Sequence, residues 1–140
     1  MSARFFLDTN VFVYSFDTVN SKKCREAEDL IAEAVKSRQG VVSYQVVQEF
    51  FHLALRRFAS PMTVVEAEQY LDTVFRPLLT VHSSRVLYTQ ALHVQDRYRL
   101  AWYDSLIVAS AIEAGCVILY SEDLQDGQRF DTLQVKNPFV

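Results

Sequence analysis

Four acidic side chains occupy positions from which an α/β sheet could bring them together. Asp8 and Asp123 each follow a short apolar run that is typical of a buried strand. Glu49 borders the apolar face of a predicted helix, and Asp104 lies in the first turn of another. Ligands of open α/β sheets bind beyond the carboxyl ends of the strands. We therefore expect the four carboxylates to meet at one edge of a sheet.

The repulsion within such a cluster must be offset, either by protonation of one acid or by a bound cation. Two unit charges about 4 Å apart repel by about 4 kcal/mol at an effective dielectric constant of about 20. Carboxylate ligands suit Mg²⁺ or Mn²⁺, which bind through a few oxygens and keep several waters. An ion held in this way activates water and stabilises the leaving oxygen of a phosphodiester, so the predicted chemistry is hydrolysis of RNA or DNA. The sequence offers no zinc spacing around His52, His82 or His93, and no P-loop, dinucleotide-binding turn or G-x-S-x-G motif.

The elements that must position these acids alternate along the chain. Strand-length apolar runs lie at 4–7, 40–43, 78–81, 117–120 and 133–136, and segments of helical periodicity at 22–38, 44–58, 63–74, 84–97 and 103–114. The segment 11–16 is predicted to be a short apolar continuation after the first strand. Strands separated by helices predict a parallel sheet that is covered by helices on both faces.

Composition is that of one intracellular domain. The 140 residues, half of them hydrophobic, fit a single domain over 1–140, because no linker, repeat or low-complexity segment marks a boundary. No apolar run is long enough to span a bilayer, and the first residues lack the pattern of a signal peptide. We therefore expect a cytoplasmic protein without membrane contact. The net charge of −3 argues against a protein that coats nucleic acid by bulk electrostatics.

The four acids fall in segments that resemble those of one known family. The segments are Phe6-Leu7-Asp8-Thr9-Asn10, Gln48-Glu49-Phe50, Trp102-Tyr103-Asp104-Ser105-Leu106-Ile107-Val108-Ala109-Ser110-Ala111 and Leu119-Tyr120-Ser121-Glu122-Asp123-Leu124. In order and spacing they resemble PIN-domain ribonucleases, over essentially the whole chain to the closing Asn137-Pro138-Phe139.

That resemblance implies a fold and an activity. The fold is a three-layer α/β/α sandwich with a mainly parallel sheet of about four to five strands. The activity is Mg²⁺- or Mn²⁺-dependent cleavage of single-stranded RNA. The resemblance makes Asp8, Glu49, Asp104 and Asp123 the catalytic acids that bind the metal ion.

Other site residues follow from the same resemblance. Asn10 and Ser121 fall where the family often places small polar groups around the site. Glu122 and Asp126 lie close to Asp123 after the same strand, so the fourth acid stays open among the three, although Asp123 matches the motif best.

The resemblance also implies partners. Many small members of the family are VapC-type toxins, so an antitoxin protein is implied beside the RNA substrate, and a homodimer is compatible with these features. A housekeeping RNA-processing role is the other option. Arg56, Arg57, Arg97 and Arg99 flank helices that bear site acids and are candidates for phosphate contacts, the alternative being solvated helix ends.

Three alternatives compete with this interpretation. A haloacid-dehalogenase-like phosphohydrolase also uses an aspartate after the first strand, but it expects a second aspartate where this chain has Asn10. A phosphorylatable receiver-like domain needs an acid at the end of its middle strand, and the segment 79–82 lacks one. A non-catalytic PIN-like nucleic-acid-binding module is disfavoured because all four acids are in place.

Overall fold

The computed structural model describes residues 3–140, and in this range six strands form one sheet. They are β1 (Phe5–Leu7), β2 (Gly40–Ser43), β3 (Leu79–Val81), β4 (Ile118–Tyr120), β5 (Arg129–Phe130) and β6 (Leu133–Lys136). Their order across the sheet is β3-β2-β1-β4-β6-β5, and all neighbours are parallel except β5 and β6. The chain winds from β1 to β2 and β3 on one side and places β4 on the other, so the strand order switches between β1 and β4. Ligand sites of α/β sheets lie at such a switch point.

Helices connect β1 to β2, β2 to β3 and β3 to β4, as crossovers between parallel strands require, whereas β4 leads to β6 through a loop and β5. The helices are α1 (Thr9–Tyr14), α2 (Ser21–Ser37), α3 (Tyr44–Ala54), α4 (Val64–Tyr70), α5 (Arg76–Leu78), α6 (Arg85–Tyr98) and α7 (Trp102–Glu113). A π-helical turn, Leu71–Phe75, joins α4 to α5. The prediction of a mainly parallel α/β/α sandwich is confirmed. No helix within residues 3–140 combines the length and the apolar character that crossing a membrane demands.

The segment after β1 is a helix, so the predicted apolar continuation over 11–16 is wrong. Asp8 caps α1, because its Oδ1 accepts a hydrogen bond from the backbone N–H of Thr9 at 2.7 Å. Val11 and Phe12 are buried in the core by this helix. Packing and a cap therefore override the strand propensity of the β-branched residues. The early start of α1 holds Asp8 in the turn at the end of β1.

The end of α3 and the number of strands also differ from the sequence prediction. α3 ends at Ala54 rather than at residue 58, because the N–H groups of Arg57 and Phe58 both turn back to the carbonyl of Leu53. β5 has only two residues and forms a hairpin with β6. A strand so short has no detectable period-2 pattern, which explains why the sequence predicts about five strands at most.

α7 is the most deeply buried helix segment in the structure. Every residue from Ser105 to Ala111 is buried, as expected for a helix that is apolar on nearly all sides. Ser105 and Ser110 satisfy their hydroxyls by donating to the carbonyls four residues earlier, at 2.9 and 2.7 Å. The burial fixes α7 in the sandwich and leaves only its first turn, with Asp104, at the sheet edge.

Candidate active site

The register between β1 and β4 brings Asp8 beside Ser121. Leu7 pairs with Tyr120, and the N–H of Asp8 donates to the Tyr120 carbonyl at 3.0 Å. The next residue on each strand is therefore Asp8 on one side and Ser121 on the other. The Ser121 hydroxyl donates to Asp8 Oδ2 at 2.8 Å. Both side chains are buried, with Asp8 only 5% exposed and Ser121 fully covered.

The same serine hydroxyl also positions the loop that carries Asp123. Ser121 Oγ accepts a hydrogen bond from the backbone N–H of Asp123 at 3.1 Å while it donates to Asp8. Asn10, in the first turn of α1, donates from Nδ2 to Asp123 Oδ2 at 3.3 Å. Both small polar residues that the sequence suggests as supporting groups thus contact acids of the predicted cluster.

Glu49 reaches this edge from α3. Its Oε1 accepts a hydrogen bond from the hydroxyl of Thr9 at 3.4 Å, next to Asp8 in the chain. Asp104 lies in the first turn of α7 and is partly buried. It makes no direct hydrogen bond to the other acids among the described residues, but its carboxylate is near enough to interact electrostatically with Glu49 and Asp123.

The charges of these acids act on one another. Burial raises the pKa of Asp8 to about 7, its two hydrogen bonds oppose that rise, and the charges of Asp123 and Glu49 add to it. Desolvation also raises the pKa of Glu49, and repulsion from Asp123 and Asp104 contributes. Desolvation is the main cause of the raised pKa of Asp104, followed by the charge of Asp123. The edge is therefore a place where negative charge accumulates without compensation.

The donors at this edge suit a hard divalent cation. In residues 3–140 the ion pairs involve other carboxylates, so none of the four acids has a cationic side chain as a partner. Buried polar atoms without a hydrogen bond in the same range lie on elements around this edge: Asn10 Oδ1, Ser43 Oγ and Gln45 Oε1. Oxygen donors of this kind match Mg²⁺ or Mn²⁺. As placed, no three His, Cys, Asp or Glu side chains of the described chain could hold one ion, so the fit lies in donor chemistry and not in ready-made ligand geometry.

Glu122, the neighbour of Asp123, contacts α1 and α2 instead of the sheet edge. Its carboxylate accepts hydrogen bonds from the hydroxyl of Tyr14 at 2.6 Å and from Nζ of Lys23 at 2.8 Å. Partial burial raises the pKa of Glu122, but these bonds outweigh it and lower the pKa overall. Asp126 accepts a backbone N–H of the C-terminal segment at 2.8 Å. Of the three acids in this loop, only Asp123 contacts the residues around Asp8.

Replacing Lys23 with methionine should loosen the loop after β4. Lys23 donates to both Glu122 and Tyr14, and each end of its ion pair with Glu122 is only 28% exposed. Loss of the ammonium group leaves a largely covered carboxylate short of a partner. We expect the melting temperature to fall by several degrees in thermal unfolding followed by circular dichroism.

The matched control is Arg76→Met. It breaks an ion pair with Asp72 whose side chains are 75% and 68% exposed, and such pairs contribute little to stability. Its melting temperature should stay at the wild-type value. An equal fall in both variants would show that the Lys23 contacts do not stabilise the loop specifically.

The arginines do not gather at the acids. Arg97 pairs with Asp131 at 3.6 Å, in the turn before β6, which is the edge of the sheet opposite to the acids. Arg56 and Arg57 are exposed beyond the end of α3. Arg99 is exposed in the connection that leads into the first turn of α7. Of the four, Arg99 therefore lies nearest along the chain to a site acid.

Two polar residues at this edge are absent from the sequence prediction. Thr9 contacts Glu49 through its hydroxyl, and Gln45 donates from Nε2 to the Tyr103 carbonyl at 3.2 Å. Gln45 precedes Glu49 by four residues on α3, so helical spacing places both on one face. That spacing could have identified Gln45 from the sequence. The contact of Thr9 could not be identified in this way, because it depends on α1 being a helix.

The fold and the position of these acids define an α/β/α protein with an acidic site at the strand switch point, and comparison with known proteins gives the family. The family model for the PIN domain matches residues 5–129, and the chain belongs to the PIN-domain family. The resemblance drawn from the sequence is confirmed, and it displaces the dehalogenase-like and receiver-like alternatives. A search of curated proteins gave no match.

Solved structures from bacteria share the fold. A toxin–antitoxin complex from Klebsiella pneumoniae is 19% identical, with a TM-score of 0.68 over 99% of this chain and 98% of that chain. Mycobacterium tuberculosis VapC20, a toxin that cleaves the sarcin-ricin loop, is 22% identical, with a TM-score of 0.64 over 85% of this chain and 89% of that one. VapBC2 from Rickettsia felis, bound to a promoter DNA fragment, is 17% identical, with a TM-score of 0.64 over 95% and 97%. At these identities the likeness is one of fold.

Proposed function

We propose that this protein is a metal-dependent endoribonuclease that cleaves single-stranded RNA. The observation that carries the proposal is the meeting of four mutually repelling carboxylates at the strand switch point of a PIN fold. We assign Asp8, Glu49, Asp104 and Asp123 to hold Mg²⁺ or Mn²⁺. The bound ion would activate a water and neutralise charge that develops on the phosphodiester.

The polar neighbours of these acids have positioning roles in this proposal. Ser121 ties Asp8 to the backbone of Asp123 through one hydroxyl, which holds the loop that carries Asp123 beside Asp8. Asn10 and Thr9 both lie in the first turn of α1; Asn10 orients Asp123, and Thr9 orients Glu49 on α3. Hydrogen bonds to ligand side chains of this kind hold them in a productive orientation.

The arginines are the candidates for contacts with the phosphates of the RNA. Of the four arginines, Arg99 lies nearest along the chain to a site acid, three residues before the start of α7, which carries Asp104. We assign Arg99 to a phosphate of the RNA. Arg56 and Arg57 remain candidates for more distant phosphates, and Arg97 lies at the opposite edge of the sheet.

We further propose that the enzyme is the toxin of a toxin–antitoxin pair. The support is that structures of the same fold include toxin–antitoxin complexes from Klebsiella pneumoniae and Rickettsia felis. The partners would then be an antitoxin protein and cellular RNA, in agreement with the cytoplasmic location expected from the sequence. A VapC relative that cleaves the sarcin-ricin loop supports structured RNA with exposed single-stranded bases as a substrate class.

Cleavage should require a divalent ion and the carboxylate of Glu49. With 5′-labelled single-stranded RNA, we expect cleavage with Mn²⁺ or Mg²⁺, none in EDTA, and a reduction of more than about 100-fold in the rate of Glu49→Gln. The reason is that Glu49 is one of few oxygen donors, and its loss weakens both metal affinity and the neutralisation of charge.

The control for this experiment is Asp126→Asn. Asp126 accepts a backbone N–H away from the sheet edge, and an asparagine oxygen can accept the same bond. The variant should cleave at the wild-type rate. Cleavage that persists in EDTA, or a wild-type protein that binds RNA without ever cutting it, would sink the proposal; the second result would favour the non-catalytic binding module.

A further inference from the structure

A groove between α3 and α7 opens directly onto the acidic edge. It has a volume of about 390 Å³ and is lined by Gln45, Gln48, Glu49, His52, Leu53 and Tyr103. We call it the α3/α7 groove. Glu49 belongs both to this groove and to the acid cluster, so a chain that places its phosphate at the acids would extend its next group into the groove.

Two residues that line the groove, Tyr103 and Gln45, differ in how far they are exposed. Tyr103 is 68% exposed, which is unusual for a large aromatic side chain next to a buried helix. Gln45 is only 4% exposed, and its Nε2 donates to the Tyr103 carbonyl, which fixes the backbone under the ring. Its Oε1 has no hydrogen-bond partner among the described residues. A rotation of the Gln45 side chain would turn this covered acceptor toward the groove, where it can receive a hydrogen bond from a ligand.

A nucleobase combines the features that such a wall can bind. Its planar face can stack on an exposed tyrosine ring, and an amino group on its edge can donate to an amide oxygen. Gln48 and His52, both exposed, add polar groups at the mouth, while Leu53 is the single aliphatic lining residue. The wall thus pairs apolar surface with polar groups, which suits the flat apolar faces and the polar edge of a base.

We propose that the α3/α7 groove binds the base of a nucleotide next to the scissile phosphate. Tyr103 stacks on the base, and Gln45 Oε1 accepts from the amino group of adenine, guanine or cytosine. The inference rests on the proposed ribonuclease function, because it is the acid cluster that places the scissile phosphate beside Glu49. It assigns to these two residues a role in choosing the cleavage position.

The first test measures RNA binding, so it does not depend on catalysis. We expect Tyr103→Ala to raise the dissociation constant of a fluorescent single-stranded RNA about tenfold in EDTA, and to raise KM by a similar factor in Mn²⁺. Tyr103→Phe keeps the stacking face and should restore both values. Val64→Ala shortens a side chain that is 69% exposed at the start of α4 and does not line the groove, so it is the control and should leave binding unchanged.

The second test measures which base the enzyme prefers next to the cleaved bond. Oligonucleotides that differ only at the position after the cleaved bond should be cut faster with an amino-bearing base than with uracil, and Gln45→Leu should remove that difference. If Gln45→Leu does not fold, the comparison of Tyr103→Ala with Tyr103→Phe still decides the proposal.

The outcomes separate the two levels of inference. A wild-type protein that binds RNA through Tyr103 but does not cleave it would refute the ribonuclease and keep the groove. A wild-type protein that cleaves RNA while Tyr103→Ala binds and cleaves equally well would refute the groove alone. If Tyr103→Ala instead dissociates a dimer and leaves RNA binding unchanged, the groove is a protein interface and the proposal is overturned.

Discussion

Asp8→Asn should abolish RNA cleavage while leaving the protein folded. Asparagine keeps the shape of the side chain and an oxygen that can cap α1, but it removes the charge at the centre of the four acids. Because the loss of a residue that only supports a metal ligand lowers affinity or activity by about 10- to 100-fold, loss of a ligand charge should lower the rate by more than about 100-fold. The rate is measured with labelled single-stranded RNA in Mn²⁺. In cells, induction of the wild type should arrest growth, and induction of the variant should not.

The same variant should stabilise the metal-free protein at neutral pH. An unfolded aspartate has a pKa of about 3.9, whereas burial raises the pKa of folded Asp8 to about 7. Between these values the unfolded chain has released a proton that the folded protein keeps. The free energy of unfolding of the wild type therefore falls as the pH rises from about 4 to about 7, and stays low above it. One pKa unit corresponds to about 1.4 kcal/mol, so Asp8→Asn should gain at most about 4 kcal/mol near pH 8 and almost nothing near pH 4.

Urea unfolding in EDTA at the two pH values measures this difference. Asp96→Asn, which removes an exposed acid on α6, is the control and should change stability little at either pH. A metal-free Asp8→Asn protein that is less stable than the wild type near pH 8 would contradict the uncompensated charge. Wild-type cleavage by the variant would contradict the metal site independently of stability.

The sequence predicts the strands and long helices because their patterns are dictated by burial. α7 is apolar on nearly all sides and is buried on nearly all sides, and β2 is a short β-branched run with four buried residues. The pattern of buried residues does not predict α1. The apolar residues Val11 and Phe12 have strand propensity, and only the cap by Asp8 and the packing of α1 on α2 and α3 decide for a helix. The cap is a local contact between Asp8 and Thr9, whereas the packing of α1 on α2 and α3 is tertiary, and no local pattern contains that packing.

In the candidate site, too, local patterns predict some features and tertiary contacts decide the others. Asp8 and the acidic loop 122–126 are predictable because each follows a strand, and parallel strands that are neighbours end at the same edge. The choice among Glu122, Asp123 and Asp126 is not predictable, because it depends on Tyr14 and Lys23, which lie far away in the chain and engage Glu122. The spacing of residues in a sequence does not show which distant side chains will form hydrogen bonds with each other.

Gly40→Ala should be the most destabilising single-methyl change in the sheet. Gly40 begins β2, is buried, and pairs with Phe5 of β1. A Cβ atom built on Gly40 would overlap Cβ of Ala34 and lie 2.8 Å from its backbone Cα, so no side-chain rotation can relieve the contact. The end of α2 must then move away from the sheet. Overpacking of this kind costs about 3 kcal/mol of unfolding free energy.

The displacement should also reach the active site, because β2 runs straight into α3 and thereby positions Glu49. We therefore expect both a lower urea midpoint and a lower cleavage rate per folded molecule. Gly115→Ala is the matched control. Gly115 has a φ of +73° and nothing within 4 Å of the new Cβ, so it carries only backbone strain of about 1 kcal/mol and should cleave RNA normally. Equal losses of stability in the two variants would show that the close approach of α2 to β2 does not control the fold. Normal cleavage by Gly40→Ala would show that β2 tolerates the shift without moving Glu49.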